Sequence, residues 1–143
     1  MQMQFRKLAM VAAGIMGTAV MSAAPSQATP RSPSSQQALA CQIEAFGHML
    51  PVVCGSKPLN ADWNKDGSRD EVFFISPPNS YVYRISRASN GPVRVSNGVA
   101  HAMDTYEIRP SGLHRVYAVT AGSTRIYSQL EGGSWTRWEK YVP

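Results

Sequence analysis

Residues 71–86 read Glu71-Val72-Phe73-Phe74-Ile75-Ser76-Pro77-Pro78-Asn79-Ser80-Tyr81-Val82-Tyr83-Arg84-Ile85-Ser86. Two runs of Val, Ile, Phe and Tyr flank a Pro-Pro-Asn break. β-Branched and aromatic side chains suit a pleated, half-buried surface. Pro and Asn supply the turn between the runs. A connection this short favours antiparallel neighbours. The same grammar continues to the end of the chain, giving further strands at Val93–Ser96, Met103–Arg109, Arg115–Thr120, Thr124–Gln129 and Ser134–Tyr141. Asn90-Gly91-Pro92, Asn97-Gly98, Pro110-Ser111-Gly112, Ala121-Gly122 and Gly132-Gly133 separate them. The expected fold is mainly β, with about seven antiparallel strands arranged as a twisted sheet, a small sandwich or propeller-like blades.

Two stretches look alike. Val72-Phe73-Phe74-Ile75-Ser76 answers Val116-Tyr117-Ala118-Val119-Thr120, and Val82-Tyr83 answers Ile126-Tyr127, 44 residues apart in each case. A period of about 40–45 residues in a strand-only pattern is the spacing of propeller blades. Two blades cannot close a ring, so a propeller would need more than one copy of the chain. Otherwise Arg, Lys and Pro on the edge strands must guard against sheet-to-sheet association.

The amino-terminal part reads differently. Arg6 and Lys7 precede the uncharged apolar run Leu8–Ala24, and Ser26-Gln27-Ala28 supplies small residues at the −3 and −1 positions. The expectation is a secretory signal peptide over 1–28, cut after Ala28. Thr29–Gln37 is rich in Pro, Ser and Gln and is expected to be a disordered leader. Residues 38–143 form the single β-rich domain. No second apolar run reaches about 18 residues, so the remaining chain is not expected to span a membrane. Fourteen basic against nine acidic residues give a net charge of +5, and removing Arg6 and Lys7 with the signal leaves +3, too mild to imply a nucleic-acid partner. The expected destination is the periplasm or the extracellular space of a bacterium.

Leu39, Ile43, Phe46 and Leu50 recur at spacings of four, three and four, behind Ser34 or Ser35 as an N-cap. That pattern predicts a short amino-terminal helix ending near Gly47 or Leu50, before Pro51. Cys41 and Cys54 are the only cysteines. In an exported chain such a pair is expected to form a disulfide.

The segment with the most chemistry is Asp62-Trp63-Asn64-Lys65-Asp66-Gly67-Ser68-Arg69-Asp70. Counting from Asp62, oxygen-bearing side chains fall at positions 1, 3, 5 and 9, with Gly67 at position 6. Calcium needs six to eight hard oxygen ligands gathered from a tightly coiled loop. Side chains at alternate positions can converge, Gly67 permits a left-handed turn, and the Ser68 carbonyl at position 7 can point inward. The alternative is a polar Asx turn in which the carboxylates bond nearby backbone amides. Position 12 is Phe73, where the helix–loop–helix calcium site has a bidentate Glu.

Asp-x-Asn-x-Asp-Gly-x-x-Asp running straight into the strand Glu71–Ile75 resembles the calcium loops of FG-GAP repeats in integrin-type β-propellers. The resemblance covers about 14 residues closely. It implies Ca2+ held by the side chains of Asp62, Asn64, Asp66 and Asp70 and by the carbonyl of Ser68, in a turn before a strand. Glu71 either faces solvent or completes the shell.

The catalytic inventory is thin. There is no Gly-x-Ser-x-Gly and no His-Glu-x-x-His, and His48, His101 and His114 have no spacing that fixes a partner. The chain is read as non-catalytic. Trp135 and Trp138 lie three apart, which on one strand puts them on opposite faces, one in the core and one exposed. The stretch from Arg115 through Gly132-Gly133-Ser134-Trp135-Thr136-Arg137-Trp138-Glu139 is similar to the blades of small propeller lectins. That similarity implies a sugar stacked on Trp135 or Trp138, with Arg137 and Glu139 bonding its hydroxyls. Both indoles packing as a strand anchor is the alternative. Two functions follow: a secreted, calcium-stabilised binding module for a glycan or a cell-surface component, or a protein-binding factor, an inhibitor or protective partner, that uses Tyr81, Tyr83, Arg84, Arg87 and Arg94.

Overall fold

The computed structural model describes residues 39–143. The expected signal peptide and leader lie outside the described residues. In chain order the strands are β1 (Ala40–Ala45), β2 (His48–Val53), β3 (Leu59–Ala61), β4 (Glu71–Ser76), β5 (Tyr81–Ser86), β6 (Val93–Val99), β7 (Ala102–Ile108), β8 (His114–Val119), β9 (Arg125–Glu131), β10 (Ser134–Trp135) and β11 (Glu139–Lys140). All pairings are antiparallel. β4 and β5 coincide end to end with the strands read from the sequence.

The expected helix is corrected over the described part of its span: Ala40–Val53 is a β-hairpin. Phe46 and Gly47 both take positive φ, 50° and 79°, the two-residue turn that matches the twist of flanking strands. Ile43 then pairs with Leu50 and Cys41 with Val52. The residues spaced for a helix also alternate for a strand, and the hairpin buries Ala45, Leu50 and Val52 beneath a neighbouring sheet. Pro51 is tolerated because β2 has a strand on one side only, so its missing N–H breaks no ladder. The expected disulfide is present: Cys41 and Cys54 are bonded, with their Cα atoms 4.9 Å apart.

Two further sheets follow. The first runs β3-β4-β5-β6, and the second β7-β8-β9 with β10 and β11 sharing the far edge of β9. Alternation along β4 sends Val72 and Phe74 to one face, against the hairpin residues Ala45, Leu50 and Val52. Phe73 and Ile75 go to the other, against Val116 and Ala118 of β8. The first sheet is therefore covered on both faces, which explains its nearly unbroken apolar β4.

The 44-residue likeness has a structural counterpart on one strand. Val116 and Ala118 face the first sheet as Val72 and Phe74 face the hairpin, and Tyr117 takes the place of Phe73. On the next strand the relation slips by one residue. Tyr83 pairs with Phe74 and Ile126 pairs with Ala118, so Tyr83 corresponds to Ile126 and not to Tyr127. The turn Ala121–Ser123, closed between Thr120 and Thr124, is shorter than Pro77–Ser80.

Candidate functional site

The loop between β3 and β4 winds on its own carboxylates. Asp62 accepts from the amide of Asp66 at 3.2 Å and from that of Gly67 at 2.8 Å. Asp66 accepts from the Ser68 amide at 2.7 Å. Asp70 accepts from the amides of Trp63 (2.8 Å) and Asn64 (3.2 Å), and its other oxygen accepts from Asn64 Nδ2 at 3.1 Å. Lys65 and Gly67 supply the left-handed turns, with φ of 58° and 85°. Arg69 lies over the Phe46 ring at 5.4 Å. Amide N–H groups, rather than the two basic side chains, offset the clustered negative charge.

As a calcium site the loop fits in donor chemistry, and its carboxylates are bonded to backbone amides. Asp62, Asp66 and Asp70 are hard oxygen donors with lone pairs to spare. Yet no three acidic, His or Cys side chains converge to hold a metal among the described residues. Asn64 turns its NH2, not its oxygen, toward Asp70. Glu71 is elsewhere, accepting from Trp63 Nε1 at 3.0 Å and pairing with Arg84.

Neither Trp135 nor Trp138 forms an exposed platform. The expected strand Ser134–Tyr141 breaks between β10 and β11, so period-two alternation stops and both indoles turn inward. Trp135 packs edge-on to Phe73 at 5.2 Å. Trp138 donates from Nε1 to the Val95 carbonyl at 2.8 Å. A Cβ at Gly98 would come within 2.1 Å of that indole, so the tryptophan needs the glycine. Arg137 is exposed, and Glu139 belongs to a different surface, the outer face of the second sheet. The four lectin-like candidates do not meet at one point.

The Tyr81, Tyr83, Arg84, Arg87 and Arg94 set is also divided. Tyr83 packs with Phe74 toward the hairpin, while Arg84 pairs with Glu71. Arg94 lies 4.4 Å over the Tyr81 ring, and Arg87 is exposed. The ion pairs found among the described residues all involve arginine. His114 is stacked on Trp63 with ring centroids 4.1 Å apart, a packing role.

The outer face of the second sheet carries a polar aromatic array that the sequence reading did not single out. The Arg125 guanidinium lies 4.1 Å from the centre of the Tyr117 ring and 5.0 Å from that of Tyr141. Arg115 lies 4.3 Å over Tyr127. Each is fixed at its other end. Arg125 donates to Asp104 at 2.7 Å, and Arg115 to Gln129 Oε1 at 2.6 Å. Tyr117 donates to Glu107 at 2.7 Å, and Tyr127 to Glu139 at 2.6 Å. The Tyr117 bond holds the Glu107 carboxyl below its usual range, helped by Arg109 and Arg115. Burial and the same bond push the Tyr117 phenol up. The Glu139 bond, with some burial, does so for Tyr127. The signal was available: Arg115-Val116-Tyr117 and Arg125-Ile126-Tyr127 repeat Arg-x-Tyr at the period that keeps side chains on one face.

No family model, curated protein sequence or solved structure matches the chain.

Proposed function

We propose that the chain is an exported, non-catalytic binding module that engages a protein surface through the outer face of its second sheet. The observation that carries this reading is the exchange of side chains between equivalent faces. Phe73, Ile75 and Val82 make the middle of that face of the first sheet apolar, beside the Glu71–Arg84 pair, and it is covered. On the second sheet the corresponding face holds Tyr127, Tyr141, Arg115 and Arg125, all partly exposed, over Tyr117, which they bury, with no further layer over them among the described residues. Tyr and Arg are the types enriched where partners bind tightly. Guanidinium groups already occupy the faces of Tyr117 and Tyr127, leaving little room for a sugar to stack there. A protein partner is therefore favoured over a glycan on this face.

Export is supported by the signal-like segment and by the disulfide. Calcium enters the proposal as a stabiliser of the Asp62–Asp70 loop, reached by turning the Asn64 amide.

A photo-crosslinking residue at Gln129 tests the interface. Exposed to the secreted fraction of the source cells, it should give one discrete adduct, lost when Arg115 and Arg125 are both changed to Glu. A probe at Ser68, on the loop, should give none. Equal adducts from both positions, or none from Gln129, would remove the reading.

A further inference from the structure

An open sheet edge offers its unpaired N–H and C=O groups to any further strand, and folded chains blunt such edges. Among the described residues every edge but one is blunted. β2 carries Pro51. β3 is three residues long, and β10 and β11 are two each. β6 is irregular, with Ser96 at a φ of 53°, and two of its carbonyls are taken by side chains, Val95 by Trp138 and Ser96 by Arg94. β7 has a register shift between Met103 and Tyr106, with the exposed Asp104 inside it.

β1 has none of these devices. Ala40-Cys41-Gln42-Ile43-Glu44-Ala45 contains no Pro, Gly or Lys, and it pairs with β2 in unbroken register. β2 is the strand of the hairpin that lies against β4, while Ala40, Cys41, Gln42 and Glu44 are exposed. The Cys54 amide donates to the Leu39 carbonyl, which fixes the phase of the ladder. Bonded and non-bonded positions alternate along an antiparallel pair, so Cys41, Ile43 and Ala45 spend their backbone groups on β2. Ala40, Gln42 and Glu44 turn theirs outward, to the free edge. Pro51 stands opposite Gln42 in the same phase, so its missing N–H closes the other edge of the hairpin and not this one.

We infer that β1 is a dimerisation edge, which takes the same strand of a second copy, antiparallel, about a two-fold axis at Gln42. This register uses every free backbone group. Gln42 faces the partner's Gln42 and Ala40 faces the partner's Glu44, each pair exchanging two hydrogen bonds. Glu44, the one charged residue of the strand, thus meets the smallest side chain, and no like charges are opposed. Centring the pair on Glu44 would set two carboxylates side by side. Leu39, 78% exposed, comes opposite the partner's Ala45 and loses contact with water. An axis in this position runs across the layers, so both copies turn the outer faces of their second sheets the same way. The dimer itself does not depend on what those faces bind.

One strand pair is a small interface, so the dimer is weak. Sedimentation equilibrium of the oxidised, signal-cleaved chain should show dimer growing between about 10 μM and about 1 mM. Over the same range amide exchange at Gln42 and Glu44 should slow, while Cys41 and Ile43, already bonded to β2, change less. Gln42→Pro removes one donor per copy at the axis, as Pro51 does on the other edge, and should weaken dimerisation about tenfold or more. Gln42→Lys, at an exposed position, sets like charges together there and serves if the proline variant fails to fold. Met49→Lys, on the exposed face of the hairpin, should leave the dimer in place. So should Arg115→Glu with Arg125→Glu, which keeps this test apart from that of the protein-binding face. Loss of the dimer through either of these changes overturns the inference. A chain that is monomeric at about 1 mM also does, and leaves the edge to a strand of another protein. So does a dimer that both Gln42 variants leave intact, or one in which the Gln42 and Glu44 amides exchange as fast as in dilute solution.

Discussion

Asn64 shows how much of a site one side chain can decide. The acidic spacing of the Asp62–Asp70 loop was legible in the sequence, and so was the left-handed turn at Gly67. Whether the oxygens would aim at a common point or at backbone amides was not, because both arrangements need the same residue types at the same intervals. The loop chooses amides, and the Asn64 NH2 occupies a place beside Asp70 that a cation would share with the Asn64 oxygen. Asn64→Asp therefore separates the two uses. In EDTA it removes a hydrogen bond and adds a like charge, and should cost roughly 1 kcal/mol, a fall of several degrees in melting temperature for a chain this small. With millimolar calcium the added carboxylate becomes a ligand, and the variant should melt above its own EDTA value by more than the native chain does. Differential scanning calorimetry in both buffers reads the sign. A variant whose melting is the same with and without calcium marks the loop as a self-bonded turn. The tryptophans carry a second lesson at this scale: their spacing of three implied opposite faces only for an unbroken strand, and the break at Thr136–Trp138 dissolves that rule.

Among the elements, legibility tracked the length and purity of the apolar run. β4 and β5 were readable end to end because long β-branched and aromatic stretches meet at a Pro-Pro-Asn turn. β1 and β2 were not, because Leu39, Ile43, Phe46 and Leu50 satisfy a helical period while Ile43, Ala45, Leu50 and Val52 satisfy an alternating one. What decides between them is tertiary: a hairpin can lay Ala45, Leu50 and Val52 on Val72, Phe74 and Ile85. The disulfide joins the two ends of that hairpin, where Cys54 also donates its amide to the Leu39 carbonyl. Replacing both cysteines by Ser frees a loop for which the chain-entropy model gives about 3 kcal/mol. The double variant should melt several degrees lower yet keep its far-ultraviolet β signature, since the hairpin's apolar face still docks. Faster hydrogen exchange in β1 and β2 than in β8 would place the loss in the hairpin. Loss spread evenly over all strands would mean that the hairpin, first sheet and second sheet melt as one unit.

Across the whole domain the layers stack head to tail: hairpin, first sheet, second sheet. Such a stack must finish on a surface that water accepts, as terminal repeats of one-dimensional arrays do. Here the finish is made by Arg115 and Arg125, set against the rings of Tyr127 and Tyr141 and over the Tyr117 that replaces Phe73 and stays buried. This ending gives the fold a pH signature of two limbs. Glu107 has a folded-state pKa below its ordinary value, so its contribution is complete above the normal carboxylate range and is lost as pH falls through the lowered value. Tyr117 and Tyr127 are raised, so theirs is complete below the ordinary tyrosine value of 10.0 and is lost as pH rises beyond it. Stability should be flat between the limbs and fall on both sides. Tyr117→Phe keeps the ring under Arg125 and removes the hydroxyl shared with Glu107. It should lower stability in the plateau by about 1 kcal/mol, the usual worth of a hydrogen bond, while reducing both limbs at once. Urea unfolding from pH 3 to pH 11 measures this. If Tyr117→Phe keeps the native acid limb unchanged, Glu107 owes its shift to Arg109 and Arg115, and the face is held by ion pairs instead of by the phenol.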